Sequence, residues 1–305
     1  MRMTGQSKAV RRLFRGIAVA FTFLLAAFCG IREIDARQAP SKAQPQYLAY
    51  ERFRFERSIT IAKPSYYTES EWRKQRGDDR RTFWRCDYPV FAGGPAATRI
   101  NRTLKQYVYA ASTYQDVPPV RPGTLKSAAE DLIKDYLKQR STPGGIQRPF
   151  QVEVNGSVLL NGPGLLTVNM TAHLDCGGAH SLDPIKMFVF DSNTGSKLKL
   201  ADIFVPKFDS RLNRLIDKAF RKQNGLSATD PLDKPKGDFF GLSEKKLTYT
   251  HNFAVGVEGI TFVYNEYEVA AYAYGPIEIL IPWAELRPIL KEAFKARYSA
   301  AFARR

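Results

Sequence analysis

Histidine and cysteine are scarce in this chain, with three of each in 305 residues. Cys29 lies inside an apolar N-terminal segment, so only Cys86 and Cys176 belong to the rest of the chain. Two thiols do not make a structural zinc site, which takes four ligands and shows close-set pairs such as CxxC. The sequence also lacks HExxH, a P-loop, a G-x-S-x-G elbow and a GxGxxG after a strand. Each of those patterns exists because a defined chemistry needs it, so zincin, nucleotide-binding and serine-hydrolase readings lose their usual support. Long apolar runs are missing as well. The one from Gly16 to Ile31 is shorter than the ~20 residues that span a bilayer.

That short run has another use. Lys8, Arg11, Arg12 and Arg15 precede it, and polar, proline-containing sequence follows from Arg32. This is the grammar of a secretory signal. Residues 1–36 are therefore expected to be a signal peptide cut after Ala36, which places the protein outside the cytoplasm, in a bacterial periplasm. The alternative is an uncleaved anchor, which would make the protein a membrane-tethered structural factor. Cys29 sits where a lipoprotein cysteine would, but Phe28 before it is too bulky for that signal. In an exported chain the remaining pair, Cys86 and Cys176, predicts a disulfide.

The formal charge is +16. The first 37 residues hold seven of the 46 Lys and Arg and two of the 30 Asp and Glu, so a processed chain stays at +11. An anionic envelope polymer or lipid surface is thus a candidate partner. Nucleic acid is not expected, because the basic residues are scattered and no helix-turn-helix, RRM or zinc-finger pattern occurs.

Residues 37–50 are rich in Ala, Pro and Gln and read as a linker. Period-two alternation then predicts strands at Phe53–Ile61, 82–91, 150–161, 165–176, 185–191, 247–258, 260–265 and 277–281. Helical spacing predicts amphipathic helices over 95–112, 124–140, 209–225 and from Pro282 to the C-terminus, while 70–81 reads as a charged loop. The short connections after residue 146 predict an antiparallel meander. The fold class is α+β, mainly antiparallel sheets with packed amphipathic helices, in two small modules: 51–145 and 146–305.

Between the last two strands lies a tyrosine-rich elbow. Tyr264, Tyr267, Glu268, Tyr272 and Tyr274, joined by His180 from a Gly177-Gly178 turn, are the candidate binding residues, because tyrosines combine an apolar body with a polar tip. A catalytic alternative is a hydrolase using His173, Asp175 and His180, which lie close together along the chain. His173 on an alternating strand and His180 beside two glycines also suit purely structural roles, so neither catalysis, a cofactor nor a metal is expected. Glu266 and Glu268 sit two apart on one segment. Their side chains would point side by side, not across a substrate, which argues against glycosidase chemistry.

Three segments carry a family pattern: YPVFAGGPAATRINRTLKQYV (88–108), CGGAHSLDPIKMFVFDSNTGSKLKLADIF (176–204) and ITFVYNEYEVAAYAYGPIEILIPWAELRPIL (260–290). In these the chain resembles the two-module exported domains of the RsiV-like and PdaC N-terminal kind. The resemblance implies recognition at the cell envelope, of a peptidoglycan-related ligand or of a wall-active protein such as a lysozyme-like enzyme. Relatives with a sigma-binding segment carry it before a membrane helix, where this chain has 15 signal-like residues, and the deacetylase domain of others lies beyond the shared part. Neither activity is expected here. The reading is an exported, non-catalytic binding protein.

Overall fold

The computed structural model describes residues 47–111, 124–232, 239 and 246–302, the side chains of 299–302 excepted. The expected signal peptide and the linker up to residue 46 lie outside the described residues.

Alternating apolar residues build a five-stranded sheet whose strands pair in chain order: β1 (Tyr50–Thr60), β2 (Arg81–Phe91), β3 (Gln151–Gly162), β4 (Leu165–Asp175) and β5 (Ile185–Asp191). All neighbours are antiparallel except β2 and β3, which run parallel from Phe83 opposite Gln151 to Asp87 opposite Asn155. A parallel pair needs a long crossover, and α2 (Gly94–Ala111) and α3 (Leu125–Ser141) lie within it. Ala97, Ile100, Leu104 and Val108 recur at three- and four-residue steps and are buried on the sheet with Ala129 of α3. They meet Trp84, Cys86, Val152, Val168 and Phe188.

A second sheet holds β6 (Phe253–Val255), β7 (Gly259–Tyr264) and β8 (Ile277–Pro282), all antiparallel. The helix Asp209–Gln223 buries Leu212, Ile216 and Phe220 against Phe262, Ile279 and Ile281. Leu165 and Val189, from the first sheet, belong to this second core, and Met187 packs with Ala254 and Val263. The cores thus divide by the two faces of β4 and β5. The boundary expected near residue 145 runs through the first sheet, and residues 45–305 form one compact unit. The α+β class with mostly antiparallel sheets is as expected.

Several local expectations are corrected. The charged stretch read as a loop contains a short helix, α1 (Glu69–Lys74), closed by a capping box: the Thr68 amide donates to Glu71 Oε2 at 2.9 Å, and the Glu71 amide to Thr68 Oγ1 at 3.2 Å. The end of the expected linker is pinned, with Leu48 exchanging two hydrogen bonds with the Asn161 side chain and the Ala92 amide donating to the Ala49 carbonyl at 2.7 Å. The strand expected over 247–258 is formed only at Phe253–Val255. The C-terminal helix is broken: Trp283–Leu286 passes into a 3-10 turn at Arg287–Ile289, and Glu292–Phe302 starts afresh. Pro288 explains the break, because it has no amide to continue the helical ladder.

The expected disulfide is not formed; Cys86 and Cys176 are both thiols. The register gives the reason. Cys86 is level with Val154 on β3 and so with Ala172 on β4, four residues short of Cys176. Four residues along and two strands across amount to about 16 Å, whereas bridged cysteines have Cα atoms within about 7 Å. Burial pushes the Cys86 thiol up to about 12, so it behaves as a small core residue.

Candidate functional site

The tyrosine-rich elbow joins β7 to β8, and its side chains part company. Tyr264 closes β7 and is buried, with its hydroxyl donating to the Thr248 carbonyl. Burial, helped by the nearby Glu268 charge, pushes its phenol well up, so it is a structural tyrosine. Tyr274 is exposed, with its ring 5.6 Å from Phe239, which stacks edge-on against Phe220 at 4.9 Å.

Tyr267 and Tyr272 remain, with ring centroids 6.2 Å apart, and they form a triangle with His180. The His180 ring lies 4.1 Å from Tyr272 at 15° between planes and 6.0 Å from Tyr267 at 27°. The Tyr267 hydroxyl and His180 Nε2 are 2.9 Å apart, with the donor set by the imidazole tautomer. Tyr267 holds a positive φ of 66°, which is unusual for a bulky residue, and its turn is closed by its own amide donating to Ala270 O at 3.0 Å. Tyr267 is 45% exposed, and His180 is exposed too. Three rings, those of His180 and Tyr267 exposed and that of Tyr272 half-buried, are therefore held together by loops 87 residues apart in sequence. Glu268 is exposed beside them, with one carboxylate oxygen 3.5 Å from Asn265 Nδ2.

Below the rings runs a polar chain. Tyr272 hydroxyl meets Ser181 Oγ at 3.1 Å, Ser181 donates to Asp183 Oδ2 at 2.8 Å, and Asp183 Oδ1 takes His173 Nδ1 at 2.6 Å. Glu266 is close by. Burial first, and then the Asp183 charge, raise its carboxyl pKa, while the Asp183 amide and His180 pull it down.

His173, Asp175 and His180 each have a different hydrogen-bond partner. His173 turns to Asp183, His180 to Tyr267, and Asp175 Oδ1 receives the Gly177 amide at 3.1 Å and faces Arg148 at 3.5 Å. No group of three His, Cys, Asp or Glu suited to a metal exists among the described residues. Sequence reasoning missed Ser181 and Asp183, although the motif Ser181-Leu182-Asp183 directly after His180 places two short polar side chains on one side of an extended segment. Two hollows, of about 390 and 330 Å³, lie elsewhere, one over Phe53, Tyr109 and Leu125 and one over Arg54, Arg85 and Glu153.

This arrangement is that of an α+β domain with an aromatic cluster at its surface. Residues 201–284, which include the elbow and most of the second core, match the family model described as Protein of unknown function (DUF3298). The fold is similar to that of a DUF3298 family member from Bacteroides fragilis NCTC 9343, at 19% identity and a TM-score of 0.60 over 84% of this chain and 98% of that one. It is similar also to a DUF3298 family protein from Pseudomonas aeruginosa PAO1, at 18% identity and 0.57 over 82% and 97%. No curated protein matches this chain. Among the described residues no helix is long and apolar enough to cross a membrane.

Proposed function

We propose that this chain is an exported, non-catalytic recognition module of the cell envelope, and that it reads a peptidoglycan-related ligand with the His180, Tyr267 and Tyr272 platform. The observation that carries this reading is the exposed ring stack itself. The rings of His180, Tyr272 and Tyr267 lean on one another in a triangle, fixed by a hydrogen bond and a positive-φ turn, and His180 and Tyr267 keep ring surface in water. Preorganised aromatic faces of this sort bind at little entropic cost. The N-terminal signal grammar supports export. The divergence of His173, Asp175 and His180 toward separate partners supports a binding role over hydrolysis.

Cosedimentation with purified peptidoglycan sacculi tests it. The wild-type protein should pellet with the sacculi, the double variant Tyr267→Ala/Tyr272→Ala should stay in solution with an unchanged melting temperature, and His173→Ala should pellet as wild type. Failure of the wild type to pellet overturns the ligand assignment. Release of soluble wall fragments by the wild type but not by His173→Ala overturns the non-catalytic reading.

A further inference from the structure

A second ring cluster stands beyond the end of β1. Tyr66 and Tyr67 have ring centroids 4.8 Å apart, Tyr67 and Trp72 5.6 Å, and the Arg80 guanidinium lies 5.9 Å over Trp72. Tyr66 is 59% exposed. The cluster is held firmly: the Tyr67 amide donates to Pro64 O at 3.2 Å, Lys63 Nζ donates to Tyr67 O at 2.7 Å, the Thr68 and Glu71 box follows, and Trp72 rests on the small core of Ile61, Tyr136 and Phe150.

Both clusters occupy the same end of the five-stranded sheet. Thr60 pairs with Arg81, Phe83 with Gln151, and Gln151 with Asp175, so the end of β1 and the end of β4 lie side by side. β1 and β4 are three strand spacings apart, about 14 Å. Arg148 lies between the clusters. Its charge reaches the Tyr66 phenol, it faces Asp175, and it donates to the Gly178 carbonyl two residues before His180.

Four carboxylates along this end are paired, while Glu268 at the elbow stays exposed. Asp175 is paired with Arg148, Asp183 with His173, and Glu153 and Asp78 with Arg85. In a chain of +16, a face on which four carboxylates already have partners and Glu268 stands exposed at the elbow is not matched to a polyanion. Rigid aromatic faces separated by neutralised polar groups suit a polyhydroxylated ligand, whose ring C–H faces lie on the aromatics while its hydroxyls meet paired carboxylates and guanidinium groups.

We propose that Tyr66, Tyr67 and Trp72 form a second platform and that the two platforms together hold one uncharged oligosaccharide across this end of the sheet. The proposal rests on the elbow being a recognition surface and adds the ligand class and the second half of the site.

Calorimetric titration of the full chain with N-acetylglucosamine oligomers of two, four and six units tests it. Affinity should rise with length, and Tyr66→Ala should weaken hexamer binding by about tenfold, to the level of the dimer, with dimer binding unchanged. Tyr66→Phe should restore the hexamer affinity. Because Tyr66 is mostly exposed, the variants should melt as wild type. Hexamer binding that is lost in Tyr267→Ala but unchanged in Tyr66→Ala overturns the second platform and leaves the elbow reading standing. Sacculi that bind while no oligomer does, or Tyr66-dependent binding to phosphatidylglycerol vesicles in place of oligomers, overturns the glycan class. Absence of binding to both sacculi and oligomers defeats both proposals.

Discussion

Tyr298 donates its hydroxyl to Asp191 Oδ2 at 2.8 Å across 107 residues, and both side chains are buried. Asp191 ends β5, and its other oxygen receives the amides of Asn193 and Thr194, at 3.0 and 2.9 Å, so one carboxylate ties the turn after the first sheet to the C-terminal helix. Arg297 adds an ion pair to the same group. A buried carboxylate with four donors is stable only while they remain.

Tyr298→Phe should therefore cost about 1–2 kcal/mol, because Asp191 keeps its other donors. Asp191→Ala should cost about 3 kcal/mol or more, because it leaves the buried Tyr298 hydroxyl without its acceptor, unpairs Arg297 and releases the two turn amides. Urea unfolding monitored by tryptophan fluorescence measures both.

The next turn makes a second prediction. Gly195 has φ of +72°, and a Cβ there would lie 2.3 Å from the Ala96 carbonyl oxygen, a backbone atom that cannot step aside. Gly225 has a similar φ, +65°, but open space around it. Gly195→Ala should cost several times more than Gly225→Ala, which should lose only the ~1 kcal/mol of a strained dihedral. Melting temperatures of the two variants decide it.

Cys86 and Cys176 should both be alkylated in protein that is denatured without reductant and then treated with iodoacetamide. A mass spectrum lacking either modified peptide would restore the disulfide. In the native state Cys86 should react far more slowly than after unfolding, because the thiolate is the reactive form and burial suppresses it.

Alkaline pH should destabilise the fold. Burial raises Cys86 from 9.0 to about 12 and Tyr88 and Tyr107 from 10.0 to about 12, so the unfolded chain gives up these protons first. With fewer protons bound in the unfolded state, stability falls as pH rises. Denaturation midpoints should be level near pH 8 and decline from about pH 9 to about pH 12. Cys86→Ala should flatten the first part of that decline.

Much of the scaffold was legible because it depends on local periodicity. Ile100, Leu104 and Val108 announce their helix by spacing, and Ile277, Ile279 and Ile281 announce a strand by alternation. The capping box at Thr68 was also in plain view, three residues ahead of its glutamate, but the surrounding charges masked it. The site was legible only in part. Tyr267, Tyr272 and His180 were named together from composition, yet Tyr264 proved to be a buried structural residue and Tyr274 turned to Phe239. Nothing local distinguishes these tyrosines, since a turn decides which way each one faces.

By itself, then, the sequence determined the α+β class, most element positions and the clustering of rings around the elbow, because period and turn chemistry act over a few residues. The tertiary structure decided what depends on register and on contacts between distant segments. The parallel pairing of β2 with β3 sets Cys86 far from Cys176, the return of the 177–183 segment brings His180 against two tyrosines, and the order of strands places Tyr66 at the same end of the sheet as Arg148. Those relations arise only when strands far apart in sequence choose their neighbours, a choice made by the burial of two cores on opposite faces of β4 and β5.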